Sequence, residues 1–270
     1  MRTWVLVRGL TRESGHWGAF IASFQARFPK DRVVLLDLPG NGTEHTVASP
    51  TSVEAMARHC RAMLAARQVA PPYHVLAMSL GAMVTVAWAR MAPQEIAAAV
   101  LVNTSLRPFS RFWERLRPRC WRPLLGLAVR RLPPRDQEVV VYALTCNTRP
   151  APPRVIDDWV EIRKRRPVSM RNALRQLWAA ARFSAPRDCP LRPPAGDSTV
   201  PVLLLASEDD RLVHIDCSRR LAQAWGAAMQ AHPTAGHDLP FDDGPWTAEA
   251  VRRWIDAREG ARAPRPAAVR

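Results

Sequence analysis

The chain has almost no lysine. Of its 39 basic residues only Lys30 and Lys164 are lysines, so the formal net charge of +15 is carried by arginine. With abundant alanine and proline, that bias fits a GC-rich coding sequence as well as a selected anion-binding surface. No nucleic-acid-binding motif accompanies the charge, and no nucleic-acid partner is expected. Long apolar runs are also missing: none approaches the roughly 18 residues of a spanning helix. The opening MRTWVLVRGL has an apolar stretch too short for a signal-peptide core. These two absences predict a cytoplasmic protein with no integral membrane segment. Cysteine pairs are lacking as well. Cys60, Cys120, Cys146, Cys189 and Cys217 are scattered, odd in number and contain no C-x-x-C, which speaks against a zinc site or disulfide framework. No metal and no cofactor are expected.

What is present is an alternation of strand and helix signals over the first 105 residues. TWVLV (3–7), RVVLLDL (32–38), YHVLAM (73–78) and AAAVLV (97–102) are short apolar runs. Helical spacing fills the gaps at 17–28, 52–66 and 80–91, with Pro29 and the turn PGNG as breaks. Apolar strands separated by amphipathic helices predict an α/β fold, with a mostly parallel sheet covered on both faces. The rhythm stops after Thr104 and resumes at VPVLLLAS (200–207), followed by a helix at 216–226, a weak strand at 228–232 and a helix at 247–259. The expected organisation is a core of residues 1–105 and 193–260, a helical insertion at 106–192, and a disordered tail at 261–270.

The insertion contains helical segments at 109–116, 121–132, 136–144, 155–165 and 169–182. It also holds most of the excess charge: 20 basic and 7 acidic residues lie between Leu106 and Arg192. Besides a solvated surface, this arginine-rich segment suits an anionic substrate or an acidic carrier protein. Its mixture of Trp113, Trp121, leucines and arginines also suits a membrane surface. Pro118 and Pro123 interrupt the apolar stripe there, which ranks membrane contact below the carrier.

Three polar residues follow three predicted strands, where open parallel sheets form their sites. Ser79 follows HVLAM, Asp210 follows VLLLASE, and His237 lies in TAGHDLP after the last strand. A serine hydroxyl becomes nucleophilic when an imidazole takes its proton, and the imidazole needs a carboxylate to hold its tautomer. The order Ser, Asp, His is that of a nucleophile elbow, a turn that closes only if the residues two before and two after the serine are small. Here they are Ala77 and Gly81. Asp209, next to Asp210, is an alternative acid. The position after the preceding strand reads VNTSL and offers no carboxylate.

With VRGLTRESGHWGAF, VVLLDLPGNG, AMSLG, ASEDDRLV and GHDLP in this order, the chain resembles the α/β-hydrolase superfamily over nearly its whole length. It is most similar to small capped esterases, including the pimeloyl-carrier-protein methyl ester esterases. The resemblance implies an α/β-hydrolase fold with a helical cap inserted after the strand at 97–102. It favours Asp210 as the acid, from loops reading D-R-L-V, and implies the backbone amides of Leu10 and Leu80 as oxyanion donors. The implied function is a serine hydrolase cleaving a small-molecule carboxylic ester or thioester through an acyl-enzyme. Acyl transfer, C–C bond hydrolysis and a non-catalytic binding module are the alternatives on the same scaffold. The sequence departs from the pattern at Arg8-Gly9, where the family usually has His-Gly, and at Ala77, the first glycine of G-x-S-x-G.

Overall fold

The computed structural model describes residues 1–130, 132–188 and 200–262. In chain order the core begins with β1 (Thr3–Val7), α1 (Phe20–Arg27), β2 (Arg32–Leu36), α2 (Val53–Ala66), β3 (Tyr73–Met78), α3 (Leu80–Met91) and β4 (Ile96–Val102). Five helices follow: α4 (Phe112–Arg115), α5 (Trp121–Val129), α6 (Pro134–Thr145), α7 (Pro153–Arg165) and α8 (Met170–Arg182). The chain closes with β5 (Val202–Ser207), α9 (Asp216–Trp225), β6 (Ala228–His232), α10 (Leu239–Asp242) and α11 (Gly244–Arg262).

The six strands form one sheet in the order β2-β1-β3-β4-β5-β6, with every neighbouring pair parallel. The central strands show no polar alternation because both faces are covered. Trp4 and Leu6 pack with Phe20 and Phe24 of α1 and with Val251 and Trp254 of α11. Val5 and Val7 of the same strand turn to the opposite layer, with Met56 and Leu64 of α2 and Leu80 of α3. Each such side chain buried contributes on the order of 2 kcal/mol. The strand order reverses between β1 and β3, so a crevice opens beyond their carboxyl ends. Gly9 and Leu10 follow β1 there, and Ser79 follows β3.

The segment between β4 and β5 leaves and rejoins the core at one place. Arg107 bridges Ser184, and the Ala185 amide donates to the Arg107 carbonyl at 2.7 Å. Tyr142, Cys146, Ile156, Trp159 and Val160 form a small apolar cluster of its own, against which Phe241 packs. Buried polar groups tie it to the core loops. Arg12 Nη1 donates to Glu138 Oε2 at 2.9 Å, and Arg163 Nε to Glu138 Oε1 at 2.5 Å. Fully buried Gln176 accepts from the Thr11 amide at 2.9 Å and donates to Asn41 Oδ1 at 2.7 Å.

Differences from the sequence-based expectations have local causes. The helix expected at 17–28 starts at Phe20, because Gly18 at φ 49° separates it from the 3-10 turn Ser14–Trp17. β2 ends at Leu36 because the next residue turns its carboxylate onto loop groups. Asp37 accepts from the amide and hydroxyl of Ser14 and of Thr43. The segment at 109–116 is helical only over Phe112–Arg115. The expected interruption is present at Pro118, since α4 ends at Arg115 and α5 starts only at Trp121, whereas Pro123 lies inside α5. Pro118 opens a 3-10 turn and Pro123 sits in the first turn of α5, where a missing N–H costs nothing. Residues 261 and 262 continue α11. The rest of the expected tail, the expected insertion boundary at 192 and Cys189 lie outside the described residues.

Candidate active site

Ser79 occupies the single residue between β3 and α3, at φ 53° and ψ −113°. A residue with a side chain is strained there by roughly 1–3 kcal/mol, so the surroundings must hold it. The Ser79 amide donates to the Val102 carbonyl at 2.9 Å, and the Thr104 hydroxyl donates to the Ser79 carbonyl at 3.1 Å. The turn brings α3 hard against the end of β1. A Cβ on Gly81 would lie 2.6 Å from the Arg8 carbonyl oxygen and 2.7 Å from that of Val7. Only glycine fits, which is the physical content of the small-residue requirement read in the sequence. Ala77, the other small position, is fully buried in β3.

Asp210 and His237 meet across the ends of β5 and β6. Asp210 is buried in the turn after β5, where Oδ1 accepts from the amides of Leu212 (2.7 Å) and Val213 (2.9 Å). Its other oxygen, Oδ2, lies 2.7 Å from His237 Nδ1. Asp209 is exposed, and its recorded contact is through its main-chain oxygen, which accepts from Asn147. His237 is buried and lines, with Ser79, Gly9, Leu10 and Leu80, one cavity of about 680 Å³. That volume lies within the usual range for small-molecule sites. The farther walls are apolar side chains of the insertion, among them Leu124, Leu127, Val141 and Leu177. Among the described residues no acceptor takes the Leu10 or Leu80 amide proton, and no group of side chains could hold a metal ion.

Sequence reasoning passed over the part that three residues play in shaping this site, two of them polar. Arg8, noted only as a departure, is buried and grips Asp238 with both nitrogens of its fork, Nη1 to Oδ1 at 2.9 Å and Nη2 to Oδ2 at 2.5 Å. Its guanidinium also lies over the Trp17 ring at 4.8 Å. Because Asp238 directly follows His237, this pair joins the loop after β1 to the histidine loop. Asn103 stands in VNTSL, the position after β4 that offers no carboxylate. Its Nδ2 donates to the His237 carbonyl at 2.8 Å, and its Oδ1 accepts from the Ser207 amide at 2.9 Å. Gly236 is the third. A Cβ there would lie 2.7 Å from the Thr145 carbonyl oxygen, so α6 presses directly on the histidine loop. The partners are separated by up to 230 residues, and a single sequence holds no signal of such pairings.

His16 is buried in the cavity wall. Burial, with Arg12 and Arg8 nearby, holds its pKa well below the ordinary histidine value. Its Nε2 lies 2.8 Å from Arg12 Nη1, a contact in which the guanidinium donates and the imidazole nitrogen accepts. Glu13 beside it has its pKa raised by burial and by Asp37, against the pull of Arg166.

A parallel sheet of this order with serine, carboxylate and imidazole at its carboxyl edge defines an α/β-hydrolase fold. A sequence model described as the alpha/beta hydrolase family matches residues 4–250, and the chain belongs to that family. A pimeloyl-[acyl-carrier protein] methyl ester esterase of Methylococcus capsulatus is 39% identical over 98 residues, which are 36% of this chain and 35% of that protein. The match thus spans about a third of that relative's length. Among solved structures, a thermophilic esterase from Thermogutta terrifontis superposes with TM-score 0.72 at 20% identity, over 95% of this chain and 90% of that one. Esterase RhEst1 from Rhodococcus sp. ECU1013 gives TM-score 0.70 at 20% identity, over 95% and 90%. At that identity the two structures speak for the fold.

Proposed function

We propose that the protein is a serine hydrolase of carboxylic esters or thioesters, with Ser79 as nucleophile, His237 as general base and acid, and Asp210 as its carboxylate partner. The observation that carries this reading is the 2.7 Å contact of Asp210 Oδ2 with His237 Nδ1, on the wall of the cavity that Ser79 enters from a strained turn. Asp210, held by two amides, keeps the Nδ1 proton in place and leaves Nε2 free to accept the Ser79 proton. Ser79 Oγ then bonds to the acyl carbon and the carbonyl oxygen becomes an oxyanion. The amides of Leu10 and Leu80, free of other acceptors, are the donors for it. Collapse breaks the bond to the leaving alcohol or thiol, which takes the proton from His237. Water, deprotonated by the same imidazole, attacks the acyl-enzyme; the acid leaves and Ser79 recovers its proton.

Arg8 in place of the family's histidine leaves the main-chain donor at Leu10 unchanged, because its side chain is taken up by Asp238. The helical segment between β4 and β5 acts in this reading as a cap that closes the apolar end of the cavity and selects the acyl group. Wild-type protein should react with a fluorophosphonate probe and turn over short p-nitrophenyl esters, and Ser79→Ala should do neither. Persistent labelling of Ser79→Ala would refute the assignment. Tight ligand binding by wild type without any turnover would favour a non-catalytic module.

A further inference from the structure

Two segments of the cavity lining reach the surface with apolar side chains. Phe112 and Trp121 of the α4–α5 segment, and Met170, Leu174 and Leu177 of α8, line the cavity and are also exposed. Phe112 and Trp121 stack at 6.1 Å between ring centroids with planes 16° apart, and both remain exposed. The apolar surface continues beyond the rim. Leu125 (64% exposed), Val129 (72%) and Trp178 (55%) do not line the cavity, yet stand in solvent on α5 and α8. An exposed apolar patch of this kind on a folded protein marks an interaction surface.

The charge on the same segments is of one sign. Residues 107–130 and 169–182 carry ten arginines and a single acid, Glu114. Glu114 is itself paired with Arg220 at 2.7 Å. Among the described residues the side chains of Arg122, Arg130 and Arg171 make no hydrogen bond or ion pair. Arg111 and Arg182 lie over Trp113 and Trp178, at 5.4 and 5.2 Å from the ring centroids. Pro118 divides α4 from α5, but Pro123 leaves α5 intact, and α8 supplies a second apolar stripe that the α4–α5 sequence alone did not contain.

We propose that this face docks on an anionic lipid surface, with the aromatic and aliphatic rim entering the headgroup region and the arginines meeting lipid phosphates. Tryptophan and leucine interleaved with arginine, around an opening, are the composition of interfacial segments. An acidic carrier protein would use the arginines but gives no role to eight large apolar side chains left in water. The cavity opens toward the bilayer in this arrangement, and an ester drawn from it reaches Ser79 without crossing solvent. Docking is independent of Ser79; delivery of a lipid ester rests on the hydrolase reading above.

The test is co-sedimentation of the full chain with phosphatidylcholine vesicles, with and without phosphatidylglycerol, alongside hydrolysis of p-nitrophenyl butyrate in solution. Wild type and Ser79→Ala should both sediment with the anionic vesicles. Leu125→Asp/Val129→Asp should lose sedimentation and keep the soluble activity. Replacing Arg122, Arg130 and Arg171 by Gln should weaken anionic-vesicle binding on the order of 100-fold. Wild type that ignores anionic vesicles overturns the proposal. So does wild-type-like binding of the aspartate double variant, or salt-sensitive binding to an acyl carrier protein in place of vesicles. Loss of soluble turnover in wild type with vesicle binding intact would count against the hydrolase reading alone.

Discussion

Arg8, buried after β1, finds its partner 230 residues away in Asp238. Both side chains are nearly inaccessible to solvent, and a bidentate fork is the geometry in which a buried pair can offset its desolvation. Removing one partner strands the other charge. Arg8→Met should therefore destabilise the protein by about 3–5 kcal/mol in urea unfolding. Arg8→Met combined with Asp238→Leu should recover most of that loss, because no lone charge remains. A double variant as unstable as the single one would show that the pair does more than neutralise itself. Ser79 shows the same dependence on neighbours. Its strained backbone persists because Val102, Thr104 and the missing Cβ of Gly81 fix the turn.

At the scale of elements, β3 carries both the site and a liability. His74 lies in this strand, largely buried against Trp4 at 5.1 Å between ring centroids, with no partner for Nδ1. Burial, aided by Arg2, lowers its pKa to about 4 from 6.5. The folded state thus resists a proton that the unfolded chain accepts. The stability linked to His74 is complete above the unfolded pKa, falls as pH drops below about 6.5, and stops falling near the folded value of about 4. Thermal melts across this range should show that decline, and His74→Gln should flatten part of it. An unchanged slope in the variant would assign the acid sensitivity to other groups. β4 contributes differently: the residue just after it, Asn103, fastens the histidine loop to β5.

For the molecule as a whole, the question is what keeps the helical segment between β4 and β5 against the sheet and its loops. Its apolar cluster is small, and much of its attachment is polar: Arg12, Glu138 and Arg163 in one group, Asn172 and Gln176 in another. Glu138 is almost fully buried between two arginines. Glu138→Gln keeps its shape and removes its charge, leaving Arg12 buried over Trp159 without a counter-charge. A loss of about 3 kcal/mol is expected, or roughly 6–12 °C in melting temperature. A melting temperature within a degree of wild type would mean that the attachment is apolar after all. Among the described residues no helix is long and apolar enough to cross a membrane.

The sequence by itself determined the α/β order, the parallel sheet and the residue types at its carboxyl edge, because these depend on local periodicity and on turn chemistry at Ala77, Ser79 and Gly81. Strand limits were legible to within two residues wherever both faces of the strand are buried. Helix limits in the insertion were less so, since Arg107–Arg119 is held by contacts with the core and not by its own propensity. The grip of Arg8 on Asp238, the clamp at Asn103 and the meeting of α4, α5 and α8 around one cavity were decided only by tertiary structure. Each joins segments far apart in the chain, and such a pairing leaves no periodic trace in either segment.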